Sequence, residues 1–107
     1  MARIVAFVPD LMLMSRVTGS LSAAGHEVTT AAWTPGWTAP EGLDLVVCDL
    51  EAVDPEGVAA LPVPSIGFYS HVDVETRARA VEAGVDLVVP RSRMARELPE
   101  LVDRLAG

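Results

Sequence analysis

Few residues in this chain are suited to chemistry. Asp49 closes the apolar run Leu45-Val46-Val47-Cys48, which leaves a carboxylate at the end of a buried segment. Such an aspartate either caps the turn that follows or serves a site. His71 follows Ser70 and lies near Asp73, so it is either an exposed loop residue or part of a polar cluster with Asp49. Ser70, His71 and Asp49 have the residue types of a nucleophilic triad. Adjacent residues on an extended chain point opposite ways, however, which disfavours that arrangement. Arg91, Arg93 and Arg96 are the only basic concentration. They read as a solvated turn paired with nearby acids, or as a contact for an anion or acidic partner beside Asp49. Cys48 is the single cysteine, and its apolar neighbours make it a structural thiol. Without a Cys/His cluster no zinc site is expected. Val8-Pro9-Asp10-Leu11 contains no glycine, so the first turn is not a nucleotide-binding glycine loop.

The elements that must position these residues alternate between strand and helix. Ile4 to Val8 is a continuous apolar run of the kind buried on both faces of a parallel sheet. Leu11, Met14, Val17, Leu21 and Ala24 then recur at helical spacing, with Gly25 as the stop. A shorter strand is predicted over Val28 to Ala32, and a third over Leu45 to Cys48. Between them, Trp33 to Gly42 holds two prolines and two glycines, which exclude a regular helix. Asp54 and Pro55 open a short helix that ends near Leu61. Ser65 to Tyr69 is the fourth strand, and Asp73 caps a helix that reaches Ala83 and stops at Gly84. Asp86 to Val89 is the fifth strand. The last helix is predicted from about Pro99 to Leu105, because proline fits only a first turn and Arg93 to Glu97 must then be irregular. Five strands without hairpin signals indicate right-handed βαβ crossovers and a doubly wound parallel sheet. Val5, Phe7, Val46, Val47, Ile66 and Val88 are its predicted buried residues.

Composition narrows the class. The chain has 107 residues, enough for a single domain spanning 1–107, and half of them are apolar. The apolar runs are too short to span a bilayer. The first reads as a strand and not a secretory signal, since Pro9 and Asp10 cut it short, so a cytoplasmic location is expected. A net charge of −7 argues against nucleic-acid binding. All eight basic residues are arginine, which hints at a GC-rich bacterial genome. The Met1 start and the Ala106-Gly107 end read as a stand-alone gene product.

Three stretches carry a family likeness. Asp44-Leu45-Val46-Val47-Cys48-Asp49-Leu50, Pro64-Ser65-Ile66-Gly67-Phe68-Tyr69-Ser70-His71-Val72-Asp73 and Ala83-Gly84-Val85-Asp86-Leu87-Val88-Val89-Pro90-Arg91-Ser92 stand in the order and spacing of the receiver domain of bacterial response regulators, which the chain resembles over nearly its whole length. The resemblance implies a flavodoxin-like fold with strand order 2-1-3-4-5. It also implies a role in two-component signalling, with a phospho-accepting aspartate, magnesium-holding acids, a switch hydroxyl and a lysine at the carboxyl ends of the strands.

Against that pattern the chain is degenerate. Asp49 stands at the phospho-acceptor position, but the acidic pair is replaced by Val8 and Pro9, with Asp10 one residue later. Tyr69 holds the switch position, with Ser70 beside it. Arg91 replaces the lysine and Ser92 the proline after it. Magnesium, held by Asp10 and Asp49 alone, is expected to bind weakly or not at all. Arg91 is expected to pair with Asp49 in the lysine's place. The helix that a receiver carries between its second and third strands is replaced by the Trp33 to Gly42 loop. Trp33 and Trp37 therefore either cover that face or anchor an interface, together with Met12 and Met14, for a protein partner or a homodimer. The leading expectation is a non-enzymatic pseudo-receiver acting by protein–protein contact. The alternatives are an active receiver phosphorylated on Asp49 by a histidine kinase, and a small-ligand-binding α/β module.

Overall fold

The computed structural model describes residues 1–70 and 72–106. Among them, strands β1 (Arg3–Phe7), β2 (Glu27–Thr30), β3 (Leu45–Asp49), β4 (Ser65–Tyr69) and β5 (Leu87–Pro90) alternate with helices α1 (Leu11–Ala23), α2 (Pro55–Ala59), α3 (Val74–Ala83) and α4 (Arg91–Ala106). The sheet order is β2-β1-β3-β4-β5 and each neighbouring pair is parallel. The doubly wound sheet expected from the sequence is therefore present.

Side chains alternate across the sheet and feed two cores. Ile4, Ala6, Leu45, Val47, Ile66 and Phe68 pack against Val17 and Leu21 of α1 and against the buried stripe of α4. On the opposite face, Val5, Phe7, Val46 and Cys48 meet Val58 of α2 and Ala80 of α3. No helix joins β2 to β3, and Trp33, Trp37 and Leu43 pack half-buried against this second core. Of the predicted core residues, Val5, Phe7, Val46, Val47 and Ile66 are buried, whereas Val88 on the edge strand β5 is only half-buried.

Two carboxylates pin the amino edge of the sheet. Asp44 Oδ2 accepts the Arg3 N–H at 2.7 Å, and Asp86 Oδ2 accepts the Ser65 N–H at 2.8 Å. The second bond explains why β5 starts at Leu87 and not at Asp86: that residue serves as a clamp on β4. Near the same edge, His26 Nδ1 accepts the Ala2 N–H at 2.9 Å, and its Nε2 lies 4.0 Å from Asp103 of α4. The start of β1 is thus tied to the last helix. β2 ends two residues earlier than predicted, with a final ladder bond from Ala31 N–H to the Ala6 carbonyl at 3.1 Å.

The largest correction concerns α4, which runs unbroken through Pro99. Met94, Leu98, Leu101 and Val102 recur at helical spacing, and all four are buried in the first core. Burial of that stripe outweighs the single backbone bond that proline removes. Pro99 and Ala95, whose carbonyl loses its donor, are both half-buried, so the freed group is not sealed inside. Asp54 also departs from expectation. Its carbonyl accepts the Val58 N–H of α2 at 3.0 Å, but its side chain makes no cap bond and instead faces Arg79 of α3 at 3.3 Å. Restoring the missing donor with Pro99→Ala is expected to raise stability by about 1–3 kcal/mol, the unfolded-state entropy of proline offsetting part of the gain. Urea denaturation checks this, and a lower midpoint would contradict it.

Candidate functional site

Parallel strands place every βα turn at the carboxyl edge of the sheet, where ligands of doubly wound folds bind. Asp49 is the last residue of β3 and is 7% exposed. Asp49 and Ser65 are the polar or charged residues of the described chain that are buried. Its Oδ1 accepts the Glu51 N–H at 3.0 Å, and its carbonyl accepts the Ala52 N–H at 2.9 Å. Asp49 thus caps the turn that follows β3.

The other sequence candidates do not converge on it as a complete set. Asp10 is exposed and is the N-cap of α1, its Oδ1 accepting from Met12 N–H at 2.9 Å and from Leu13 N–H at 3.0 Å. Tyr69 is buried in the second core. Ser70 is half-buried, and its carbonyl accepts the Asp73 N–H at 2.8 Å. Asp73 in turn caps α3; the Thr76 hydroxyl and N–H hold its carboxyl below the usual range. His71, the other candidate for a polar cluster with Asp49, lies outside the described residues.

Arg91 does not pair with Asp49. It is exposed, and among the described residues no ion pair within 4.0 Å joins the two. The reason lies in the backbone: α4 starts at Arg91 directly after Pro90, so this side chain belongs to a first helical turn and not to the end of a strand. Arg93 and Arg96 are occupied by Glu97, at 3.5 and 3.9 Å. The reading of Arg93 and Arg96 as solvated and paired with nearby acids fits these contacts, but on a helix and not on a turn.

The donor set does not fit magnesium. That ion demands near-octahedral oxygen geometry, keeps several waters, and is held to a protein through one or two free carboxylates. Val8 and Pro9 supply none, and one oxygen of Asp10 already accepts two backbone bonds. No cluster of three or more His, Cys, Asp or Glu able to hold a metal exists among the described residues.

In place of an acidic pocket, this edge carries an apolar cleft of about 470 Å³. It lies between the turn after β1 (Val8 and Pro9), the segment after β2 (Ala31 to Trp33), Met14 of α1 and Ala52 after β3. A second cleft, of about 580 Å³, separates the Pro35–Ala39 loop from α2, and Trp33 lines both. Trp33 and Trp37 stand edge-on to Phe7, with ring centroids 5.4 and 4.8 Å away and interplanar angles of 89° and 87°. Gly57 of α2 permits this placement, because a Cβ there would come within 2.6 Å of the Trp33 ring. The aromatic content of the loop was legible in the sequence, but the cleft was not, since it depends on where β2 stops pairing with β1.

Cys48 lies beneath the site. Burial, and secondarily the neighbouring Asp49 charge, push its thiol up to about 12. Only the thiolate is nucleophilic. Cys48 is therefore expected to resist a disulfide reagent at neutral pH in the native protein and to react fully once urea unfolds the chain. Fast stoichiometric labelling of the folded protein would contradict this.

No protein-family model matches the sequence, and no curated protein is significantly similar to it. Solved structures do match its fold. A response regulator receiver domain protein from Clostridium thermocellum superposes with TM-score 0.79 at 15% identity, covering 99% of this chain and 94% of that one. The non-phosphorylated HemR receiver domain of Leptospira biflexa gives 0.75 at 20% identity, covering 100% and 95%. A response regulator from Thermotoga maritima gives 0.73 at 16% identity, covering 99% and 98%. With its strand order, its parallel pairing and Asp49 at the end of β3, the chain has the fold of the response-regulator receiver domain.

Proposed function

We propose that this chain is a degenerate receiver domain of bacterial signalling, non-enzymatic, which acts by contact with another protein and no longer by regulated phosphorylation of Asp49. The fate of the acidic residues at the carboxyl edge carries this reading. A phosphoryl group brings close to two negative charges. Val8 and Pro9 provide no metal-binding carboxylate, Asp10 is engaged as a helix cap, and Arg91 is turned to solvent. Among the described residues, none is ion-paired with Asp49 to offset a phosphoryl charge, in a protein that already carries −7.

Contact with a partner is supported by exposed apolar side chains at the start of α1, where Leu11 is 74% and Met12 81% exposed. Of the sequence candidates for an interface, Met12 is the open one; Met14, Trp33 and Trp37 are half-buried against the cores. A second copy is the simplest partner, since a two-fold axis lets one patch cover itself.

Intact-mass measurement after incubation with acetyl phosphate and millimolar magnesium tests the central part. No phosphoryl adduct is expected. An adduct that disappears in Asp49→Asn would instead establish an active receiver, the natural target of a histidine kinase. Sedimentation of the wild type and of Met12→Ser tests the contact: a dimer converted to a monomer supports self-association through α1, and two monomers rule it out.

A further inference from the structure

We infer that the cleft between the ends of β1 and β2 is a binding site for a small, flat, uncharged aromatic molecule. Its position is the first support. The ladder between β1 and β2 ends at the Ala31–Ala6 bond, and beyond it Ala32 and Trp33 leave the sheet while Val8 and Pro9 lead into α1. The gap opens at the carboxyl edge, beside the point where the strand order reverses. At about 470 Å³ it lies within the range of small-molecule sites and is far too small for a docked helix or domain.

The lining decides the chemistry. Charged residues make up 21% of the chain, yet none lines this cleft. Among the side chains there, the Thr30 hydroxyl and the Trp33 indole N–H are the groups able to bond a polar atom. A charged ligand would lose its hydration with no partner to replace it. An anion would also approach against a net charge of −7. The wall is fixed before any ligand arrives: Phe7, 1% exposed, stands edge-on to Trp33, and Gly57 leaves room on its other side. A preset indole in the wall favours a planar aromatic body packed against it. This site does not depend on the chemistry of Asp49, so it stands or falls separately from the loss of phosphorylation.

Two-dimensional amide NMR of the whole chain tests the inference with a matched pair of probes, 2-naphthol and 2-naphthoate. The uncharged probe is expected to saturate below a millimolar, with shifts concentrated at Val8, Thr30, Ala31, Ala32 and Ala52. The anionic probe is expected to bind at least about ten-fold more weakly. Ala32→Trp, which fills the cleft from an exposed position, should weaken 2-naphthol by a similar factor, and Ala52→Leu provides a second, milder block. Ala24→Trp, at the far end of α1, should change nothing. The inference is overturned if the two probes bind alike, if neither saturates, or if both filling variants bind undiminished. It is equally overturned if the shifts centre on Trp37 and Leu61 in the second cleft, or if dilution alone shifts the cleft amides because a second copy occupies it.

Discussion

The edge-on contact of Phe7 with Trp33 and Trp37 is the interaction on which the rest of the structure depends. A parallel sheet must be covered on both faces, and here the connection from β2 to β3 contains no helix. Pro35 and Pro40 deny it one, while Gly36 and Gly42 take positive φ values of 80° and 85° that turn the chain back across the sheet. An indole can bury roughly 150–250 Å². Two of them, braced on a buried Phe7, replace much of what an amphipathic helix would cover, and α2 yields a Cβ at Gly57 to admit Trp33.

The same solution shapes the carboxyl edge. With Trp33 beside the end of β1 and Val8-Pro9 leading into α1, the ground where acidic residues would gather is apolar. Asp10 is exposed and organises the first turn of α1. Asp49 stands at the end of β3, where one of its carboxyl oxygens accepts a bond from its own turn. Fold and site chemistry are thus separable: the fold rests on apolar strands, whereas chemistry at this edge rests on a handful of polar positions.

This separation explains what could be read from the sequence. Ile4 to Phe7, Leu45 to Cys48 and Ser65 to Tyr69 are buried from both sides, so they stand out as continuous apolar runs and their order was evident. Asp49 was legible for the same reason, as the polar residue ending such a run. Pro99 misled, because a local rule about proline says nothing of the stripe from Met94 to Val102 that tertiary packing holds in place. Arg91 misled differently. Its position after β5 was right, but whether its side chain reaches Asp49 depends on α4 starting without a linker, and no residue type signals that. Of the two readings of Trp33 and Trp37, the contacts match cover: both are half-buried against the second core, and both also line a cleft.

The claim that aromatic contacts stand in for a helix is tested most directly by a double-mutant cycle between Phe7→Leu and Trp37→Ala, read as unfolding free energies in urea. The account predicts that each substitution destabilises the chain and that the pair shows a coupling of about 0.5–1.5 kcal/mol. Strictly additive losses, or a Trp37→Ala variant as stable as the wild type, would contradict it.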